Sequence, residues 1–236
     1  MIGRAIRADL LKIRGKGLWF LVFLAPVGLI AMQALNYGLR YDYMMDRYGD
    51  DPWRYLLENI AMFVPIALLM GITILASMLA NIEHHTSAWK QLLALPVSRY
   101  AVFGAKFFII ALLLAVSCLL LAIGTVPLGL ALKFGGTDIP YAAIAKLAFF
   151  PYIATWPVLA FVLWMCVTYR NQSLPITIGV VMAVLSIFPI SEYLPLNWPL
   201  AAFKGPHEGA FLGAGLLCGF ILLLLGSIHF NRKDVS

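Results

Sequence analysis

The sequence predicts an all-α membrane protein, and three observations carry that prediction. The chain is 62% hydrophobic and only 12% charged, about half the charge of an ordinary soluble domain. Six separate runs of roughly 20 residues lack charge, each long enough to cross a hydrocarbon layer about 30 Å thick as a helix. Basic residues sort to alternate connections between those runs, as they do in spanning proteins. Six spans leave little chain for a soluble domain. One six-span domain over 17–236, preceded by a separate helix over 1–16, is the economical description.

Residues 2–16 place Ile2, Ile6, Leu10 and Ile13 at spacings of three and four, with Arg4, Arg7, Lys12, Arg14 and Lys16 between them. That pattern predicts an amphipathic helix on the inner membrane surface, its basic side chains toward anionic headgroups. A simple basic flank explains the charges but not the apolar spacing. The first span covers about 17–36, with Trp19 and Tyr37 at its ends as interface aromatics and Pro26 inside. Its apolar part is too long for a cleaved signal and no small-residue cleavage pattern follows, so it reads as a retained span. Residues 37–58 are rich in Tyr, Asp and Arg and have room for a short surface helix. Their aromatics, Tyr41, Tyr43, Tyr48, Trp53 and Tyr55, serve either as interface anchors or as a substrate-facing rim.

The second span covers about 60–80, with Pro65 and Gly71, and the third about 107–132, with Gly124 and Pro127. A turn at Gly135, Gly136 and Pro140 leads to the fourth, about 146–168, where Pro151 and Pro157 predict a bent or broken helix. Only residues 169–173 separate it from the fifth, about 174–190, which predicts a tight antiparallel pair. A proline-rich segment over 191–207 precedes the sixth, about 209–230. In that last span Gly209 and Gly213, and again Gly215 and Gly219, are spaced to admit another helix, either of the same chain or of a second subunit.

The formal net charge is +6. With the N-terminus inside, Arg4, Arg7, Lys12, Arg14, Lys16, Lys90, Arg99, Lys106, Arg170, Arg232 and Lys233 fall on the cytoplasmic side. The opposite side collects most of the acids, among them Asp42, Asp46, Asp50, Asp51, Glu58, Asp138 and Glu208. Basic charge therefore reads as topology, with both termini cytoplasmic, and not as a nucleic-acid site. None of the six runs has Asp, Glu, Lys or Arg near its centre, which argues against a proton- or sodium-coupled carrier. The histidines lack a His-Glu-x-x-His pair and the three cysteines, Cys118, Cys166 and Cys218, lack metal spacing, so no metal site is expected. A Gly-x-Ser-x-Gly elbow and a Gly-x-x-x-x-Gly-Lys-Ser/Thr phosphate loop are both missing, so any ATP that drives the protein binds to another chain.

The polar interruption at 81–106 holds most of the mid-chain charge and turn chemistry. Trp89, Leu92 and Leu93 recur at helical spacing, Thr86 or Ser87 can cap the start, and Pro96 disfavours helix at Leu95. A two-turn helix results, about 84–95, ending abruptly on the cytoplasmic side. Ser98 can cap the next helix, which carries Arg99 and Lys106 at headgroup level. Such an exposed helix is either a lever for a partner or an interfacial loop that joins two spans.

Glu83, Thr86-Ser87, Leu92-Leu93, Pro96-Val97-Ser98-Arg99 and Lys106, in that order, resemble the signature after the second span of type-2 ABC transporter permeases. The wording from Trp89 to Arg99 is similar to the lantibiotic-immunity branch. The resemblance implies that 1–16 is the connecting helix and about 84–95 the coupling helix, which docks on a separate ATP-binding subunit. It assigns ATPase coupling to Glu83, Thr86, Trp89, Leu92, Leu93, Pro96 and Arg99, the last pairing with an acid or a lipid phosphate. It implies a second permease subunit, identical or similar, with ATP and Mg held by the partner ATPase and no cofactor on this chain. The expected function is export, in a bacterial plasma membrane, of an amphipathic or apolar substrate such as an antimicrobial peptide. The alternative is a scaffold or binding protein, independent of ATP, that associates through its last span. The short proline-rich segment 191–207 departs from larger relatives and puts their re-entrant helices in doubt.

Overall fold

The computed structural model of the protein describes residues 17–85, 98–135, 138–188, 190–191 and 193–232. Their regular structure is all helical. The expected amphipathic helix over 1–16 and most of the coupling stretch, including Thr86, Trp89, Leu92, Leu93 and Pro96, lie outside the described residues.

Helix α1, Leu18–Leu39, starts after Gly17, whose φ of 77° is a left-handed conformation that suits glycine. It continues through Pro26 and buries only one stripe, Leu18, Val22, Pro26, Gln33 and Tyr37. Its other faces expose Phe20, Phe23, Leu24, Val27 and Leu35, which suits a lipid solvent. A short helix α2, Tyr41–Tyr48, occupies the segment expected to hold one.

Helix α3, Pro52–His85, runs 34 residues, about 50 Å, and so exceeds the hydrocarbon thickness. Asp51 caps its start by accepting the Arg54 N–H at 3.1 Å, and Pro52 fits the first turn because its missing N–H would have had no helical partner. Helix α4, Arg99–Ala131, runs 33 residues and is capped by Ser98, whose hydroxyl accepts the Ala101 N–H at 3.3 Å. It ends in a Schellman turn: Phe134 N–H reaches Gly129 O at 3.2 Å, Lys133 N–H reaches Leu130 O at 3.0 Å, and Lys133 takes φ 62°. Phe134 then packs edge-on against Tyr37 and Trp53. This contact ties the ends of α1, α3 and α4 together.

The fourth expected span is a broken pair, α5 (Tyr141–Ala154) and α6 (Trp156–Thr168), bent by 44° at Thr155. Pro157 cannot donate to the Ile153 carbonyl, and its ring crowds that oxygen, so the helix turns there. Thr155 seals the break by donating its hydroxyl to Tyr152 O at 2.6 Å. Helix α7, Ser173–Leu185, has 13 residues, about 20 Å, and is shorter than the run of 174–190 suggests. Pro189 follows closely and disfavours helix at Phe188. The expected tight pairing of α7 with α6 is not the main contact. Instead α7 lies against α3, where an added Cβ at Gly179 would come 2.2 Å from the Thr73 hydroxyl oxygen. Helices α8 (Trp198–Lys204) and α9 (Glu208–Arg232) close the described chain.

By length and composition α1, α3, α4 and α9 can each cross a membrane, and the bent α5–α6 pair passes the same test when its two helices are taken together, as a broken span or a re-entrant loop. The chain is a multi-pass membrane protein. Charge gathers at the two ends of the bundle. One end holds Asp51, Arg54, Glu58, Lys146 and Glu208, with Lys146 paired to Glu208. The opposite end brings the start of α4 beside the end of α9.

Candidate functional site

In sequence, residues 86–97 connect the two longest helices. Glu83 lies in the last turn of α3 and Arg99 in the first turn of α4. Arg99 Nη1 donates to the Asn231 carbonyl at 3.1 Å, and Asn231 Nδ2 donates to Tyr100 Oη at 3.2 Å. Arg99 thus gains a backbone carbonyl as partner, in the last turn of α9, where helix carbonyls favour a cation. Phe103 packs near Phe230, with ring centroids 6.2 Å apart, and fastens the same two ends one turn deeper. These contacts join the start of α4 to the end of α9.

Lys106 corrects a sequence expectation. It was expected at headgroup level with its ammonium reaching water, yet it is wholly buried. The reason is position: α4 contacts α1, α3, α5, α6 and α9, so its inward face is covered on every side. One sequence cannot reveal which neighbours cover a helix face.

The four glycines of the two small-residue pairs in α9 divide by what surrounds them. A Cβ on Gly215 would lie 2.8 Å from Ala154 Cα, and one on Gly219 would lie 2.8 Å from Trp156 Cβ, so both sit in the elbow of the α5–α6 break. Gly209 and Gly213 have nothing within 4 Å of that position. The first pair thus packs within the chain, and the second faces open space.

The aromatic segment also divides. Trp53 is buried against Gly129, whose added Cβ would fall 2.2 Å from the indole, and Tyr37 is buried with it. Neither is an interface anchor. Tyr41 donates to the Leu132 carbonyl at 3.2 Å, and Tyr43 is exposed beside Arg47. Trp53 therefore belongs to the packed interior, while Tyr41 and Tyr43 lie nearer the surface.

Within the apolar layer two buried threonine hydroxyls bond carbonyls of their own helix and the Tyr152 hydroxyl reaches across to another helix. Thr73 donates to Leu69 O and Thr125 to Leu121 O, each at 2.7 Å, and Tyr152 donates to Ala111 O at 3.0 Å. Gln33 is a buried polar residue that the sequence reading did not single out; its amide oxygen has no hydrogen-bond partner among the described residues. A cavity of about 260 Å³, almost wholly apolar, lies between α1, α3 and α4 around Pro26, Gly71, Leu114 and Cys118. No His, Cys, Asp or Glu grouping among the described residues could hold a metal ion.

The arrangement is that of two long helices that end where residues 86–97 connect them in sequence. The family model of the ABC-2 family transporter protein matches residues 5–186. The chain belongs to that family. No curated protein matches the sequence. As an ABC-2 family permease, the chain is the membrane component of an ABC transporter, a part that associates with an ATP-binding subunit. The match takes in α1 to α7, the interruption at 86–97 and most of the basic N-terminal segment.

Proposed function

We propose that this permease serves an ATP-driven exporter in a bacterial plasma membrane. Two permease subunits, identical or similar, would pair with two separate ATP-binding subunits. Residues 84–95 form the coupling helix, with Trp89, Leu92 and Leu93 as the face that docks on the ATPase and Glu83, Thr86 and Pro96 framing it. Residues 1–16 form the connecting helix on the inner surface. Six spans, with the run at 174–190 as the fifth and α9 as the sixth, keep both termini cytoplasmic. The substrate is amphipathic or apolar, an antimicrobial peptide being the favoured class, and the lantibiotic-immunity wording of the Trp89 to Arg99 stretch supports that choice.

The observation that carries the proposal is the continuity of α3 and α4, 34 and 33 residues long, into the two ends of the coupling stretch. Helices of that length transmit a displacement along their axes, and the Arg99–Asn231 clasp brings α9 with them. Nucleotide-driven closure of the ATPases would thus move three helices together and change the path between two permeases. The experiment is an affinity purification of the chain from its host together with a Leu92→Asp/Leu93→Asp variant. The wild type brings down an ATP-binding subunit and the variant loses it while keeping its helical circular dichroism. Retention of the subunit and of transport by the variant overturns the proposal.

A further inference from the structure

At the Glu58 end of the bundle two cavities meet at one lysine. The larger, about 740 Å³, is lined by Asp50, Arg54, Glu58, Asp138, Lys146 and Lys204, with Trp53, Phe134 and Phe203 among its apolar walls. The second, about 470 Å³, is mostly apolar, walled by Phe188, Ile190, Leu200 and Ala201. Lys204 lines both. The second cavity is also lined by Asn197, which is 8% exposed and whose amide oxygen has no hydrogen-bond partner among the described residues.

Internal pairing uses up part of the charge in the larger cavity. Arg54 Nε donates to Glu58 Oε1 at 3.0 Å, and Lys146 pairs with Glu208 at its edge, near the rings of Phe150 and Phe203. Asp51 is engaged in capping α3. Among the described residues that line it, Asp50 and Asp138 remain as acids and Lys204 as a cation. A complementary ligand therefore carries an ammonium and an anionic group close together.

The depth of the site supplies the rest. No charged residue lies between Glu58 and Glu83, between Lys106 and Lys133, or between Lys146 and Arg170. Glu58, Lys133 and Lys146 thus mark the plane where the apolar layer ends on this side, and the larger cavity lies at that plane. A headgroup in the charged cavity has an apolar slot beside it for its chain.

We propose that these paired cavities bind one amphiphile with a zwitterionic headgroup, its ammonium between Asp50 and Asp138, its phosphate on Lys204, and part of its acyl chain along Phe188 and Leu200. The binding does not depend on coupling to an ATPase, so it stands or falls separately from the exporter reading.

The test titrates the full chain, purified in a lipid-free nonionic detergent, and reads binding by native mass spectrometry. Three probes are used: a short-chain diacyl phosphoethanolamine, the matching diacyl phosphoglycerol, and soluble phosphoethanolamine without chains. Asp50 and Asp138 are exposed, so Asp50→Asn/Asp138→Asn spares the packed bundle, and Asp51 is left as the cap. The wild type should prefer the phosphoethanolamine lipid over the phosphoglycerol lipid by about tenfold and bind the chainless headgroup far more weakly. Asp50→Asn/Asp138→Asn should abolish the preference, and Lys204→Met should weaken both lipids alike. Arg170→Gln, at the opposite end, should change nothing. Equal affinity for the two lipids, a preference that survives loss of both aspartates, or chainless phosphoethanolamine binding as tightly as its lipid would each overturn the proposal.

Discussion

Gly215→Ala and Gly213→Ala lie two residues apart, on roughly opposite faces of the same helix, and should differ sharply in effect. At Gly215 the new methyl would lie 2.8 Å from Ala154 Cα and 3.0 Å from the Ile153 carbonyl oxygen, both backbone atoms that no rotamer change can move. At Gly213 there is nothing within 4 Å. Both changes gain the same helix propensity, so that benefit cancels in the comparison. What remains is the cost of forcing α9 away from the elbow, about 1–3 kcal/mol on the scale of core overpacking. For a chain of this size that is roughly 2–12 °C between the two variants' melting temperatures, at about 2–4 °C per kcal/mol. Thermal unfolding in one detergent, followed by intrinsic tryptophan fluorescence, measures it. Gly219→Ala should resemble Gly215→Ala, since its methyl would meet Trp156 Cβ at 2.8 Å. Gly215→Ala and Gly213→Ala melting together would refute the seating of α9 in the elbow.

Two further outcomes probe the rest of the bundle. Gly179→Ala should destabilise the protein by about 1–3 kcal/mol by driving α7 off Thr73, and Thr73→Ala in the same chain should recover part of that loss. Strictly additive effects in the double variant would show that the two residues do not touch. For orientation, a membrane-impermeant thiol reagent should label Asp138→Cys in intact cells and Arg170→Cys only after permeabilisation; the reverse pattern would invert the topology.

Much of the architecture could be read from the residues because membrane spans obey few rules. The long charge-free runs at 60–80 and 107–132 lie within α3 and α4, and the Ser98 cap follows from its place before a long apolar helix. Pro151 and Pro157 foretold the bend in the fourth span, although its location at Thr155 needed the Pro157–Ile153 conflict to be seen in three dimensions. Hydropathy failed where it stood in for helicity or for neighbours. The run at 174–190 is apolar throughout, yet α7 stops at Leu185, and Pro189 was the available signal. Tyr37, Trp53 and Lys106 each carry a polar tip near a span end, the usual pattern of an interface anchor, but all three are covered by adjacent helices. The cavities around Lys204 join residues from 50 to 205, and no local pattern announces such a meeting. Of the proposed coupling site, the sequence carries the residues and the structure describes the two long helices that flank them in the chain.

The central claim is that residues 84–95 take force from an ATPase. Site-directed cross-linking tests it, with Cys118, Cys166 and Cys218 replaced by alanine and a single cysteine introduced as Trp89→Cys, Leu93→Cys or, at the opposite end, Asp138→Cys. In native membranes Trp89→Cys and Leu93→Cys should cross-link to an ATP-binding subunit, with a yield that changes when nucleotide is added, and Asp138→Cys should not. Cross-links from Asp138→Cys alone, or none from Trp89→Cys and Leu93→Cys in a complex that still transports, would contradict it.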